Sequence, residues 1–100
     1  MVILGIDPGS RVTGYGLVRR HQGKLHYVAS GCIRLTDKPL APRLDKIFIG
    51  VSELIEQFKP DCLAIEQVFL ARNPDSALKL GHARGAAMIA ATQASLSVSE

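Results

Sequence analysis

Two carboxylates in this chain stand where chemistry is done. Asp7 ends the apolar run "VILGI" and Glu66 ends the apolar run "CLAI". A charge placed directly after a buried run is costly unless something compensates it. If the two runs are parallel neighbours in the centre of a sheet, both carboxylates emerge at the same edge, and a pair placed this way calls for a cation. Hard divalent ions such as Mg²⁺ take carboxylate oxygens and keep waters and substrate phosphates as further ligands. Two such ions, about 3.5–4 Å apart, activate water and stabilise the leaving oxygen in phosphodiester cleavage. Taken singly, each residue reads more simply as a strand end facing water. Taken together, with a glycine-rich turn after the first, they point to a metal site.

That turn is "DPGSRVTGYG", residues 7–16. Gly9 and Gly14 have the spacing of a phosphate-binding Walker loop, but Tyr15-Gly16 follow where Lys-Ser/Thr is required, so that loop is excluded. GxGxxG is absent as well. Gly9 after Pro8 suits a tight turn, and its missing Cβ admits a close backbone or phosphate. A plain hairpin accounts for it equally. The carboxylate-plus-turn pattern is also loosely similar to the phosphate loop of actin-like ATPases and sugar kinases, which keeps a nucleotide-binding reading open.

The basic residues are unevenly placed. Net charge is only +3, but between Asp7 and Asp37 the chain carries Arg11, Arg19, Arg20, Lys24 and Arg34 and no acid. The stretch is either a solvated basic face or a surface that meets a polyanion. After Glu66 comes "QVFLARN". Phe69 there either folds back on the core or serves as a wedge or stacking residue for bases. Arg72, Lys79 and Arg84 are candidate phosphate contacts. His21, His26 and His82 have no metal-ligand spacing. Cys32 and Cys62 form no CxxC pair and read as reduced and buried, as in a cytoplasmic protein. No signal leader is expected, and no apolar run approaches the ~20 residues of a membrane span.

The elements that must position these residues follow from periodicity. Val2 to Asp7 reads as a buried strand and Thr13 to Arg20 as a second. "HQGK" is a turn, and Leu25 to Leu35 is a third strand with Leu25, Tyr27, Ala29, Gly31 and Ile33 in alternation. "TDKPLAP" breaks the pattern. Leu44, Ile47, Phe48, Val51, Leu54, Ile55 and Phe58 then recur at helical spacing, and Cys62 to Glu66 is a short strand. A second helix is predicted from about Ser76 to about Ala94, with Gly81 and Gly85 four apart. "LSVSE" begins another strand. The order gives an α/β fold: a three-strand antiparallel meander, then a parallel strand reached by a helical crossover, in one mixed sheet over residues 1–100. The architecture is expected to be incomplete at its C-terminal side.

"GIDPGSRVTGYG", "AIEQVF" and "NPDSALKLGHARG", in this order and at these separations, resemble the RuvC family of Holliday junction resolvases. The resemblance runs over essentially the whole chain. It implies a ribonuclease H-like fold, and it implies that Asp7 and Glu66 are catalytic metal ligands for Mg²⁺, with Mn²⁺ as the alternative ion. It further implies that Phe69 contacts bases at the junction centre, that the active form is a homodimer on four-way junction DNA, and that the RuvA–RuvB branch-migration complex is a partner. The second helix resembles a region at or near the dimer contact. The family's remaining catalytic acids lie in a C-terminal helix, so this chain alone is expected to be inactive, and Glu100 is not taken as their substitute. Two rival readings are a non-catalytic DNA-binding module of the same fold and an actin-like nucleotide-binding domain.

Overall fold

The computed structural model describes residues 1–36, 39–67 and 74–100. Strands β1 (Val2–Asp7), β2 (Val12–His21) and β3 (Lys24–Arg34) are followed by helix α1 (Leu40–Phe58). Strand β4 (Cys62–Ile65), helix α2 (Pro74–Gln93) and strand β5 (Ser97–Ser99) complete the order. They form a single sheet in the order β3-β2-β1-β4-β5. β1 pairs antiparallel with β2, and β2 with β3, while β1–β4 and β4–β5 are parallel. The expected meander and parallel crossover are therefore present, with β1 in the middle.

One face of the sheet is the core. Leu4 and Ile6 of β1, Leu17 of β2, and Leu63 and Ile65 of β4 pack with Ile47, Val51 and Leu54 of α1. The α1 residues sit at i, i+4 and i+7, which is the stripe a helix must present to a sheet. α2 adds Ala83, Ala87, Ala90 and Ala91, all at most 1% exposed. An all-alanine stripe holds α2 close, so this face has no room for larger side chains. Gly50 is a second close approach: a Cβ there would stand 2.7 Å from Ile33 Cδ1 of β3.

α1 begins four residues earlier than the periodicity predicts, with Pro42 inside its first turn. The first-turn N–H groups have no intrahelical partner, so a proline is tolerated there. The helix ends at Lys59, which adopts the left-handed conformation (φ 50, ψ 53) and donates its N–H to Ile55 O at 2.9 Å. Buried Pro60 then turns the chain straight into β4.

The alternation expected along the third strand does not hold over its whole length. A bulge shifts the β2–β3 register, so that Leu17 faces Ala29 but Val18 faces Tyr27. One extra residue moves every later side chain to the other face. Leu25 and Tyr27 therefore leave the row of Ala29, Gly31 and Ile33 and are 65% and 75% exposed.

Candidate active site

Period-two alternation decides which way the carboxylates face. Leu4 and Ile6 point into the core, so Asp7 lies with Ile3 and Gly5 on the opposite face. The same holds for Glu66 beyond Leu63 and Ile65. The pairing Ile6↔Ile65 makes Asp7 and Glu66 the next residues on two adjacent parallel strands. Neighbouring strands lie about 4.8 Å apart, so the two backbones leave the sheet side by side. Both residues are exposed.

The register is locked at the other end of the pair. Val2 N–H donates to Asp61 Oδ2 at 2.7 Å, and Asp61 N–H donates to Val2 O at 2.8 Å. This reciprocal clamp pairs the start of β1 with the start of β4 before either strand reaches its carboxylate.

The turn after Asp7 is built by Thr13. Its buried hydroxyl donates to Gly9 O at 2.8 Å and accepts from Gly9 N–H at 3.2 Å. The turn folds back so tightly that a Cβ on Gly9 would collide with the carbonyl oxygen of Val12. Gly9 is thus explained by backbone packing alone. Gly9→Ala should destabilise the fold by about 1–3 kcal/mol, as overpacking does. A thermal melt checks this, and an unchanged midpoint contradicts the packing account.

Gly14 and Gly16 serve differently. Gly14 pairs with Asp7 across β1–β2, and a Cβ there would touch only Asp7 Cβ at 3.7 Å. A Cβ at Gly16 would meet nothing within 4 Å. With Gly5 and Ala64 they leave a bare floor beside the carboxylates. The cleft over it has a volume of about 770 Å³ and is lined by Asp7, Tyr15, Glu66, Ser99 and Glu100 among others.

The basic stretch divides into two. Arg11 is exposed beside the turn, and its carbonyl accepts from Leu35 N–H at 2.8 Å. Arg34 pairs across from Val12, and Arg43 of α1 donates from Nη1 to Ser10 O at 3.3 Å. These three guanidiniums belong to the Asp7 end. Arg19, Arg20 and Lys24 belong to the far end of the β2–β3 hairpin. At about 3.3 Å per residue that end lies roughly 25 Å away.

Past β4, Lys79 pairs with Asp75 at 3.0 Å on the exposed side of α2. Such a pair is weak and leaves the ammonium accessible to phosphate. Arg84 is committed elsewhere: Nε donates to Glu66 O at 2.9 Å, and Nη2 lies 2.8 Å from Glu100 Oε2. The Nη2 contact is an ion pair by distance, but its N–H directions do not align for a hydrogen bond. Phe69 and Arg72 lie outside the described residues. Glu100 was not singled out as a site residue, although the signal was present: "SVSE" ends a strand in a carboxylate, as "VILGID" and "CLAIE" do.

Among the described residues no group of three or more His, Cys, Asp or Glu is gathered to hold a metal. Asp7 and Glu66 offer two hard oxygen donors on an open floor. That suits Mg²⁺, which binds through one or two carboxylates and keeps its remaining positions for water and phosphate oxygen.

The sequence model described as "Crossover junction endodeoxyribonuclease RuvC" matches residues 3–100. The chain belongs to the RuvC family. It is 61% identical to crossover junction endodeoxyribonuclease RuvC of Tolumonas auensis and 64% identical to that of Psychromonas ingrahamii. Each match covers 99% of this chain and 57% of the relative. The chain therefore spans little more than half the length of these RuvC proteins. A solved structure, Thermus thermophilus RuvC in complex with Holliday junction substrate, superposes with a TM-score of 0.90 at 32% identity. It covers 98% of this chain and 62% of that one. The sheet order and helices described above are thus the ribonuclease H-like arrangement of RuvC. Among the described residues, no helix is long and apolar enough to cross a membrane.

Proposed function

We propose that this chain is part of a structure-specific endonuclease that resolves four-way DNA junctions by Mg²⁺-dependent phosphodiester hydrolysis. The observation that carries this is the side-by-side exit of Asp7 and Glu66 from adjacent parallel strands over a glycine floor. Asp7 and Glu66 would hold the metal, which supplies Lewis acidity and lowers the cost of ionising a water. The rest is the work of the chain's own groups. Gly5, Gly14 and Gly16 keep the floor low enough for a sugar–phosphate backbone to approach. Arg11 and Arg34 stand at the same end, and Arg72 and Lys79 follow Glu66 in sequence. These are the groups proposed to seat phosphates. Phe69, three residues past Glu66, is proposed to stack on a splayed base at the junction centre.

The proposed assembly is a homodimer working beside the RuvA–RuvB branch-migration complex. Support for the dimer comes from α2. Leu78, His82, Gly85 and Ile89 fall on one stripe, and Leu78 and Ile89 are 63% and 53% exposed. Among the described residues, a Cβ on Gly81 or Gly85 would meet nothing within 4 Å. These glycines therefore answer no packing need inside the described residues, and they suit a second helix laid close against them. Two-fold symmetry is the simplest such contact.

The test is a pair of salt titrations, duplex against four-way junction, on full-length wild type and variants. Arg11→Ala should weaken binding to both DNAs equally and lower the slope of log affinity against log salt by about one. Phe69→Ala should spare duplex binding and weaken junction binding by about 1–3 kcal/mol, the worth of one stacked base. Equal effects of Phe69→Ala on both substrates would return Phe69 to the core. Mg²⁺-dependent cleavage of the junction separates the nuclease from a non-catalytic DNA-binding module. Calorimetric binding of ATP with Mg²⁺ would instead favour the actin-like reading.

A further inference from the structure

Arg84 occupies a position that a phosphate contact does not require. Its side chain is only 17% exposed, and its guanidinium is shared between the main-chain carbonyl of Glu66 and the carboxylate of Glu100. Glu66 is the first residue past β4, where the sheet ladder no longer holds the backbone. The Nε–H bond to Glu66 O therefore replaces the missing ladder bond at the one residue whose side chain must be aimed. The second contact crosses to β5. Pairing of Ala64 with Ser99 places Glu100 one residue beyond the last β4–β5 pair, facing the same cleft. Three carboxylates thus line one cleft, and among the described residues Arg84 is the cation in contact with this group.

We propose that Arg84 is a positioning residue for Glu66. It fixes the Glu66 backbone through Nε, while Glu100 orients the guanidinium and is held away from the Asp7–Glu66 pair. This inference rests on the reading of Asp7 and Glu66 as the metal site. Arginine suits the task because its rigid, planar guanidinium keeps Nε on the Glu66 carbonyl while Nη2 lies against the Glu100 carboxylate as an ion pair. A lysine ammonium is a single point at the end of a flexible stem and cannot hold both. The hydrogen-bonded partners that orient metal ligands typically matter about 10–100-fold in metal affinity.

The experiment is a calorimetric Mg²⁺ titration on the full-length protein, with junction affinity measured in parallel without divalent metal, for wild type, Arg84→Met, Arg84→Lys and Glu100→Gln. Asp7→Asn serves as the control for the site itself. Arg84→Met should weaken Mg²⁺ binding about tenfold and raise the Mg²⁺ concentration for half-maximal cleavage by the same factor. The cleavage rate at saturating Mg²⁺ should recover, and junction affinity and its salt slope should stay at wild-type values. Arg84→Lys should behave like Arg84→Met. Glu100→Gln should shift the metal midpoint in the same direction by less. If Arg84→Met lowers junction affinity and removes about one unit of salt slope, Arg84 is a phosphate contact and the proposal falls. Unchanged metal affinity in Arg84→Met also overturns it, as does full rescue by lysine. Should Arg84→Met fail to fold by thermal melt, Glu100→Gln decides: an unmoved metal midpoint rejects the proposal. If Asp7→Asn binds Mg²⁺ as wild type does, the metal-site reading itself has failed, and that outcome is distinct from failure at Arg84 alone.

Discussion

In the full-length protein, Asp7→Asn and Glu66→Gln should each lower the rate of junction cleavage by at least about a thousandfold, equivalent to about 4 kcal/mol of barrier, while junction affinity stays within about twofold. The substitutions keep the shape of the side chain and remove its charge. An amide is a poor ligand for a hard divalent cation, and each position supplies one of two carboxylates over the cleft floor. The affinity is spared because neither residue can attract a phosphate. Removing a negative charge should tighten junction binding slightly at low salt, if it changes anything. The measurement is single-turnover cleavage together with junction binding in the absence of Mg²⁺. A fall in affinity matching the fall in rate would show that the carboxylates act in folding or DNA contact instead. So would near-normal cleavage by either variant.

Two aspartates placed two residues apart on α2 should have opposite consequences. Ala87→Asp puts a carboxylate into a fully buried site against α1 and the sheet. An unpaired buried charge costs about 3–5 kcal/mol, a large part of the 5–15 kcal/mol that keeps a typical domain folded. The expected result is loss of the cooperative melt or a midpoint lower by ten degrees or more, roughly what that cost implies at domain size. Ile89→Asp sits on the opposite stripe, half exposed. It should leave the melt nearly unchanged and convert a dimer into monomers by sedimentation. If Ile89→Asp remains dimeric, the proposed contact is on another surface. If Ala87→Asp melts normally, the helix does not pack as described.

The order of elements was readable from periodicity because each strand and helix carries its own pattern. Ile47, Val51 and Leu54 announce a helix wherever they occur, and "VILGI" announces a strand. The exceptions have local causes. The α1 start was displaced because a proline reads as a break, whereas a helix's first turn accepts it. The β2–β3 bulge was invisible because an alternating sequence looks the same with or without one extra residue opposite it. The small residues of α2 carry no pattern that separates an inward face from an outward one, and the structure turns Ala87 and Ala90 inward. The carboxylate pair was legible because Asp7 and Glu66 break apolar runs. The ties of Arg84 to Glu66 and Glu100 were not legible. One reaches a main-chain oxygen 18 positions earlier and the other a carboxylate 16 positions later, and no side-chain pattern records a main-chain acceptor.

The clamp between Val2 and Asp61 has a counting property. From Val2 to Asp7 is five residues, and from Asp61 to Glu66 is also five, so two equal lengths of chain start level and finish level. The site is in effect measured out from the opposite rim of the sheet. A substitution inside either strand leaves that measure intact. A single insertion or deletion in one of them does not. It would advance one carboxylate by about 3.3 Å and turn it to the helix-covered face. The alignment of Asp7 with Glu66 therefore tolerates a change of side chain within β1 or β4 but not a change in the length of either.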